Sequence, residues 1–333
     1  MYALRKIWKP EIFQGAKRTA GYFEGWYFKC ISRDETAGYA FIPGISYAGE
    51  DSHAFLQVFD GKNGAYYYLR YPLKEISYSR KELFFKVGDS EFTGSGLQLA
   101  VDSSECSLHG NLEFSAFKPW PVRIFSPGAM GWYAFVPKMQ DYHGVLSFYH
   151  EINGSLQLNG VETDFTGGTG YIEKDWGTSF PSRWIWMQTN NYPGRRASLS
   201  VSVATIPWRK RQFTGYIAGF WLDGELYPFS TYCGGKVTEY NIKNENTVEL
   251  VLQTRRYTLR VTGVKIGGID LKAPVEGNMT GHVHESLQSE IETELTNRED
   301  KTVLFAGKGT SAGIELHGDI NGLLSEAVHS SKI

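Results

Sequence analysis

The chain has 333 residues, of which 41% are hydrophobic and 21% are charged, a balance that excludes a disordered or coiled-coil protein. Its formal net charge of −2 gives no strong electrostatic argument for binding nucleic acid or an anionic membrane. Aromatic residues make up 15% of the chain, alongside 37 glycines. Because aromatic residues favour strands and glycines favour tight turns, the composition predicts an all-β protein.

Short segments of strand character follow one another along the chain, and most are bounded by Gly, Asn, Asp or Pro, which is typical of hairpins. They cover residues 25–31, 54–59, 65–71, 82–87, 108–114, 145–152, 184–189, 197–204, 247–253 and 258–264. The basic cluster Trp208-Arg209-Lys210-Arg211 is interpreted as a solvated hairpin tip. A short helix is predicted only at the C-terminal end, over residues 323–329.

The second half of the chain repeats features of the first half in the same order. The string WYF that begins at Trp26 is matched by WIW at Trp184, and the Asp-Gly turn at Asp60 is matched by one at Asp223. This repeat predicts two similar all-β domains, residues 1–178 and 179–333. Chance similarity between glycine-rich β segments is the alternative.

The cysteines and the hydropathy pattern bear on the compartment. Cys30, Cys106 and Cys233 are far apart and include no Cys-x-x-Cys pair, which argues against a disulfide framework and a thiolate zinc site. No apolar leader and no apolar run of about 18 residues occurs. We therefore expect a cytoplasmic protein, either free or peripherally associated with a membrane. The His282-x-His284 pair has no third ligand at a suitable spacing, so no metal site is predicted.

Two segments place carboxylates beside aromatic residues. In GYFEGWYFK, residues 21–29, burial of Glu24 would raise its pKa and make it an acid. In GYIEKDWG, residues 170–177, strand alternation puts Glu173 and Asp175 on one face and Lys174 on the other. The alternative is a domain junction, in which charged residues fix strand ends and tryptophans fill an interface.

These two segments, together with FP at 180–181 and WIWMQTN at 184–190, resemble the tocopherol cyclase family. The stretches KAP at 272–274, GNM at 277–279 and HES at 284–286 are also similar, so the resemblance spans about residues 20–318. Through that family the chain is similar to the wider group of carotenoid hydratases and AttH-like proteins. The resemblance implies two tandem lipocalin-like antiparallel β-barrel domains with few helices, and a ligand cleft between or within them.

The resemblance also implies a reaction, the closure of a chromanol ring from a prenylated quinol without redox change. An acid protonates an alkene, and the phenol oxygen captures the resulting cation, whereas an admitted water would give hydration. Neither a metal nor any other cofactor is expected. The implied acid is Asp175 or Glu173, with Glu24 next; the implied substrate-binding residues are Tyr22, Trp26, Trp176, Trp184, Trp186, Gln188 and Asn190.

Two other classes of function stay open on the sequence. A lipocalin-like protein can bind a small hydrophobic ligand, such as a prenylquinol, without converting it. An aromatic-rich β protein can also stack sugar rings in a carbohydrate site. One observation weighs against the catalytic assignment: a carboxylate paired with Lys174 would stay ionised and could not donate a proton. The substrate and the oligomeric state are not predicted.

Overall fold

A computed structural model of the chain describes residues 6–208 and 211–330. Antiparallel strands dominate it, and the described residues contain one α-helix, so the predicted all-β class is confirmed. The chain forms two compact units. Unit 1 contains Met1–Phe180 and Leu271–His282, and unit 2 contains Pro181–Asp270 and Val283–Ile333. Whether residues 1–178 and 179–333 are the folding domains stays a prediction.

The main sheet of unit 1 has the strand order β4-β3-β2-β1-β14-β12-β9-β8-β7-β6-β5, and β13 pairs with β12. A small hairpin is formed by β10 and β11. The strands are β1 (Tyr22–Ile31), β2 (Gly38–Tyr47), β3 (His53–Asp60), β4 (Ala65–Tyr71), β5 (Ile76–Tyr78), β6 (Phe84–Val87), β7 (Ser90–Thr93), β8 (Gly96–Asp102), β9 (Ser107–Phe114), β10 (Val122–Arg123), β11 (Ser126–Pro127), β12 (Asp141–Leu158), β13 (Val161–Asp164) and β14 (Gly168–Gly177).

Large aromatic side chains fill the core of unit 1 and join strands that are distant in the sheet order. The ring centroids of Trp26 on β1 and Phe85 on β6 are 4.8 Å apart, and those of Phe28 and Phe92 are 5.2 Å apart. Strands so far apart in one sheet can share a core only if the sheet curls, as it does in a lipocalin-like fold. The aromatic content read from the sequence is thus largely core packing.

The second large sheet has the strand order β18-β17-β16-β15-β24-β23-β21-β20-β19, and β22 pairs with β23. The residues of β22 and β23 that fall within Leu271–His282 belong to unit 1, and the rest of this sheet belongs to unit 2. Its helix, α1 (Ile320–Ser330), contributes buried leucine and alanine side chains to the core, close to the predicted position. No helix in the described ranges is long and apolar enough to cross a membrane. The strands are β15 (Trp184–Thr189), β16 (Ala197–Trp208), β17 (Arg211–Leu222), β18 (Glu225–Pro228), β19 (Lys236–Asn244), β20 (Thr247–Gln253), β21 (Tyr257–Val264), β22 (Ile269–Val275), β23 (Asn278–Asn297) and β24 (Val303–His317).

The two sheets repeat one strand order. In each, four consecutive strands form a meander whose first strand pairs with the last strand of the sheet, β1 with β14 and β15 with β24. Trp26 and Trp184 lie on these equivalent first strands, and the turns at Asp60 and Asp223 connect equivalent third and fourth strands. The sequence repeat therefore corresponds to a repeat of topology. Strands β16 and β17 pair as far as Trp208, while Arg209 and Lys210 of the predicted basic tip lie outside the described residues.

Candidate functional site

Strand β1 is buried on both faces. Its successive side chains point to opposite faces of the sheet, so the residues of its motif fall into two groups. Tyr22 and Trp26 belong to the core of unit 1, and Glu24 shares their face. Gly25 and Tyr27 lie on the opposite face, where they pair with Asp175 and Glu173 of β14. The structure therefore places Glu24 on the other side of the sheet from the carboxylates of the second motif.

Glu24 is fully buried and its carboxylate is surrounded by donors. It accepts hydrogen bonds from the backbone N–H of Gln14 at 2.7 Å, the N–H of Gly15 at 2.8 Å and the hydroxyl of Tyr22 at 2.8 Å. It also forms an ion pair with Lys174, Nζ to Oε1, at 2.6 Å. A carboxylate engaged by this many donors has a structural role, because both of its oxygens are taken up by the protein itself.

Lys174 lies against the faces of two tryptophans that were predicted to bind substrate. Its Nζ lies 4.3 Å from the ring centroid of Trp26 and 5.0 Å from that of Trp176. It also donates to the carbonyls of Pro10 at 3.0 Å and Ile12 at 2.6 Å. Burial lowers the pKa of Lys174, and the charge of the nearby Glu24 opposes that shift. The pair fastens residues 6–16, the N-terminal strap, to the sheet of unit 1.

The opposite face of β14 carries a different arrangement. Register pairs His143 of β12 with Asp175, and their Nδ1 and Oδ1 atoms are 2.8 Å apart. The other imidazole nitrogen of His143 lies 3.7 Å from Oε2 of Glu173. Tyr171 donates its hydroxyl to that same oxygen at 2.6 Å. Two carboxylates and an imidazole therefore meet beside a buried tyrosine.

Asp141 adds a third carboxyl group to this face. It starts β12, directly opposite Gly177, and its buried Oδ1 makes no hydrogen bond to any described residue. Burial, followed by the nearby charge of Asp175, raises its pKa well above the ordinary value. Gly177 beside Asp141 and Gly25 beside Asp175 have no side chains that would cover the carboxyl groups.

We call Asp141, His143, Glu173 and Asp175 the carboxylate cluster. The side chain of Asp175 is 21% exposed, against 11% for His143 and 6% for Glu173, so of these three Asp175 is the one that a ligand can best approach. Within residues 6–208 and 211–330, His143, Glu173 and Asp175 form the one group of three whose ligand atoms all lie within 4.8 Å of one another. These three side chains are close enough to hold a metal ion as well as to share protons.

In unit 2, alternation along β15 separates core residues from the predicted ligand residues. Ile185 and Met187 point into the core, whereas Trp184, Trp186 and Gln188 share the opposite face, as expected from sequence. All three are buried, as is Asn190, whose Oδ1 accepts a hydrogen bond from Nε2 of Gln188 at 3.2 Å. These residues form an ordered polar and aromatic strip on unit 2.

Trp184 has its own partners in that strip. Its Nε1 donates to Oε2 of Glu315 at 2.6 Å, and its ring stacks on His317 with centroids 4.0 Å apart. Glu315 lies opposite Trp186 on β24. The carboxylate of Glu315 is therefore committed to Trp184, and the face of the Trp184 ring is covered by an imidazole.

The predicted site residues thus occupy three places. Tyr22, Glu24, Trp26 and Trp176 line the core of unit 1; Glu173 and Asp175 lie on the opposite face of its sheet; Trp184, Trp186, Gln188 and Asn190 lie on unit 2. The candidates predicted from the sequence include neither Asp141 nor His143. Their Asp-x-His spacing matches that of Glu173 and Asp175 and indicates a shared face, but only strand pairing shows that the two faces meet.

A profile of the family described as tocopherol cyclase-like matches residues 112–318. The chain belongs to the tocopherol cyclase-like family. The match includes all of the carboxylate cluster and excludes Glu24 and Trp26. The chloroplastic tocopherol cyclase of Zea mays is 30% identical to this chain over 108 residues, which is 31% of this chain and 23% of the maize protein. The matched stretch is thus well under half of that curated relative.

Solved structures resemble this tocopherol cyclase-like protein over nearly its full length. The crystal structure of CghA with Sch210972 covers 90% of this chain and 89% of its own, with a TM-score of 0.54 and 12% sequence identity. A second CghA crystal structure gives a TM-score of 0.52 over the same shares. At this level of identity the likeness establishes the fold alone.

Proposed function

We propose that this protein is an acid-catalysed cyclase of a prenylated quinol or a related isoprenoid, acting without redox change. The family membership supports the reaction class, and the carboxylate cluster supports the mechanism. The observation that carries the proposal is the meeting of three carboxyl groups and one imidazole in a partly buried place. Three carboxyl groups this close together cannot all be ionised at neutral pH, so one of them keeps its proton.

We assign that proton to Asp141. The raised pKa of Asp141 and its unpartnered Oδ1 describe a neutral carboxylic acid that can still donate. Asp175 and His143 hydrogen-bond each other, which makes them a proton-accepting pair. Glu173 is oriented by Tyr171 and supplies negative charge beside the developing cation. Glu24, the third acid candidate from the sequence, has a structural role in this scheme.

The proposed step moves one proton and forms one ring bond. Asp141 gives its proton to the less substituted alkene carbon, and the π electrons of the alkene form the new C–H bond. The phenol oxygen then donates a lone pair to the tertiary cation, which forms the C–O bond, and the phenol proton passes to the His143–Asp175 pair. The product is an isomer of the substrate, so no oxidant or reductant is required. If water captures the cation instead, the product is a hydrate.

The direct test is incubation of the purified protein with a prenylated hydroquinone in D₂O under anaerobic conditions, followed by mass spectrometry. Proton-initiated cyclisation places one non-exchangeable deuterium in a product that is otherwise isomeric with the substrate. Hydration is recognised by the added mass of one water. An unconverted quinol that remains bound in native mass spectrometry would show that the protein is a lipid binder and would contradict the catalytic proposal.

Substitutions within the carboxylate cluster test which of its residues is the general acid. We expect Asp141→Asn to lower kcat by between about 10² and 10⁴-fold, the usual contribution of a general acid. The rate of the unsubstituted protein should fall as pH rises through the pKa of Asp141, because the active form is protonated. Asp89→Asn, at an exposed position, is the matched control and should leave the rate unchanged. Full activity in Asp141→Asn, Asp175→Asn and Glu173→Gln alike would exclude the cluster as the site.

A chelator distinguishes proton chemistry from metal chemistry at the same residues. The geometry of His143, Glu173 and Asp175 permits a metal ion, whereas the proposed mechanism does not require one. We therefore expect activity to survive dialysis against EDTA. Loss of activity that a divalent ion restores would indicate that a metal ion, and not the proton of Asp141, is the electrophile in the reaction.

A further inference from the structure

Residues 115–140, which connect β9 to β12, contain most of the large hydrophobic side chains that unit 1 exposes. Of the large hydrophobic side chains exposed among the described residues, five of nine lie in this one segment. Phe125 is 83% exposed and Ile124 is 72% exposed. The other three are Val122, Trp132 and Phe135. A concentration of this kind on a protein surface marks an interaction site more often than scattered single residues do.

The two most exposed residues occupy a position where apolar side chains are unfavourable. Pairing of Val122 with Pro127 and of Arg123 with Ser126 leaves Ile124 and Phe125 as the two-residue turn of a tight hairpin. Such turns ordinarily carry Asn, Asp or Gly, which suit the backbone and remain solvated. A β-branched residue and a phenylalanine there contribute nothing to the core. Their placement is explained by a partner that takes up apolar side chains.

The charge of the segment indicates what that partner is. Residues 115–140 contain Lys118, Arg123 and Lys138, all exposed, and no Asp or Glu. The chain as a whole carries a net charge of −2, so this segment is a local basic region on an acidic protein. An apolar tip flanked by basic residues is complementary to the interface of an anionic bilayer. A second copy of the same segment would present like charges and is disfavoured.

The exposed tip is held on a defined frame. Trp8 donates its Nε1 hydrogen to the carbonyl of Ile124 at 2.9 Å, and its ring lies 5.4 Å from that of Phe135. Tyr142 donates its hydroxyl to the carbonyl of Val136 at 2.6 Å. Tyr142 is on β12, between the two cluster residues of that strand. The segment is therefore tied to the strand that carries part of the carboxylate cluster.

We propose that the hairpin of residues 122–127, together with Trp132 and Phe135, inserts into the interface of an anionic lipid bilayer, with Lys118, Arg123 and Lys138 at the headgroups. The assignment does not depend on the reaction proposed above. It does provide a route by which a lipid-dissolved substrate would reach this protein. Buried apolar area supplies most of the binding, and the cations make it sensitive to lipid charge and to salt.

The test is vesicle flotation of the full-length protein with equimolar phosphatidylcholine and phosphatidylglycerol, compared with phosphatidylcholine alone. We expect the unsubstituted protein to float with the anionic vesicles and to bind the neutral vesicles more weakly. Replacing the two tip residues, Ile124→Ser with Phe125→Ser, should lower the partition coefficient by more than about tenfold. The control, Val161→Ser with Val303→Ser, removes two other exposed apolar side chains, 66% and 52% exposed, and should bind as the unsubstituted protein does.

A fluorescent label at the tip provides a second measurement that does not depend on loss of binding. In a Cys233→Ser background, which removes the exposed cysteine, an environment-sensitive dye is attached at Phe125→Cys or at Val161→Cys. The dye at position 125 should brighten on anionic vesicles, and the dye at 161 should not. Absence of flotation, equal flotation by the tip variant, or equal brightening at both positions would overturn the proposal. So would a vesicle-independent dimer that the tip substitutions convert to a monomer.

Discussion

His150 is an imidazole that burial keeps neutral. It is 1% exposed and lies against Phe114 and Phe117, with ring centroids 4.5 and 5.2 Å away. Its Nδ1 contacts the hydroxyl of Ser147 at 3.1 Å, and its Nε2 has no hydrogen-bond partner in the described part of the chain. Burial lowers its pKa to about 3. Because an unfolded histidine titrates near pH 6.5, protonation favours the unfolded chain over the interval between those values.

The sign of this effect gives a stability prediction. The contribution of neutral His150 is complete above about pH 6.5 and is lost as the pH falls toward 3, and at pH 5 the loss from this residue is about 2 kcal/mol. His150→Leu cannot be protonated, so its free energy of unfolding, measured by urea titration, should fall less between pH 7 and pH 5. His282→Leu at an exposed site should keep the original pH dependence. Parallel pH profiles for His150→Leu and the unsubstituted protein would contradict this account.

At the residue scale, alternation predicted the face that Glu173 and Asp175 share, but not the groups that surround them there. Alternation correctly sent Lys174 to the other face, which removes it as a charge partner for Asp175. Pairing between β12 and β14 decides which groups meet Asp175, and it joins positions that are far apart in the sequence. The same limit applies to Glu24, because its donors come from backbone N–H groups of the N-terminal strap. Every residue except proline carries a backbone N–H group, so the sequence does not show which of these groups will face Glu24.

At the scale of elements, the N-terminal strap and the sheet of unit 1 depend on one buried ion pair. Lys174→Met would leave the Glu24 carboxylate buried without its counter-ion and remove the donor to two strap carbonyls. Breaking a buried pair in this way costs about 3–5 kcal/mol. We expect urea unfolding to show a loss of this size. Hydrogen exchange should also accelerate at the amides of Gln14 and Gly15.

An exposed pair on the same unit serves as the control for that substitution. Lys86 and Glu91 form an ion pair of 2.9 Å on the surface of adjacent strands. Lys86→Met should change the free energy of unfolding far less than Lys174→Met does, because solvent screens an ion pair at the surface. In the double variant Lys174→Met, Glu24→Gln, removal of the uncompensated charge should recover part of the stability. A similar, small loss for Lys174→Met and Lys86→Met would show that the buried pair does not hold the strap.

At the scale of the whole molecule, the sequence predicted the repeat of strand order, and the domain limit at residue 178 stays a prediction. Hydrophobic alternation and the Asp-Gly turns are local signals, and they identified most strands and the equivalence of the two halves. The assignment of Leu271–His282 to unit 1 rests on contacts with residues far away in the chain. The hydroxyl of Tyr66 accepts from the backbone N–H of Lys272 at 2.9 Å, for example. No local pattern encodes such a contact.

Unit 1 includes the segment Leu271–His282 from the second half of the chain. Within that segment, Gly277 packs closely against the start of β1. Its backbone has a φ of +83°, and a Cβ there would lie 2.3 Å from the backbone nitrogen of Tyr22. Its carbonyl accepts the hydroxyl hydrogen of Ser46 at 2.6 Å, and its N–H donates to the carbonyl of Thr178 at 2.6 Å. Any side chain at this position therefore pushes the segment away from the start of β1.

A glycine with similar backbone but open surroundings isolates that steric effect. Gly234 has a φ of +78°, and no described residue beyond its chain neighbours comes within 4 Å of the place that a Cβ would take. Gly234→Ala therefore measures the conformational cost alone, about 1 kcal/mol. We expect Gly277→Ala to cost about 1–3 kcal/mol more in urea unfolding, because backbone must move. Hydrogen exchange should accelerate in β1 of unit 1. Equal losses of stability in Gly277→Ala and Gly234→Ala would mean that unit 1 is stable without the segment Leu271–His282. Residues 1–178 would then be the folding domain, as the sequence predicted.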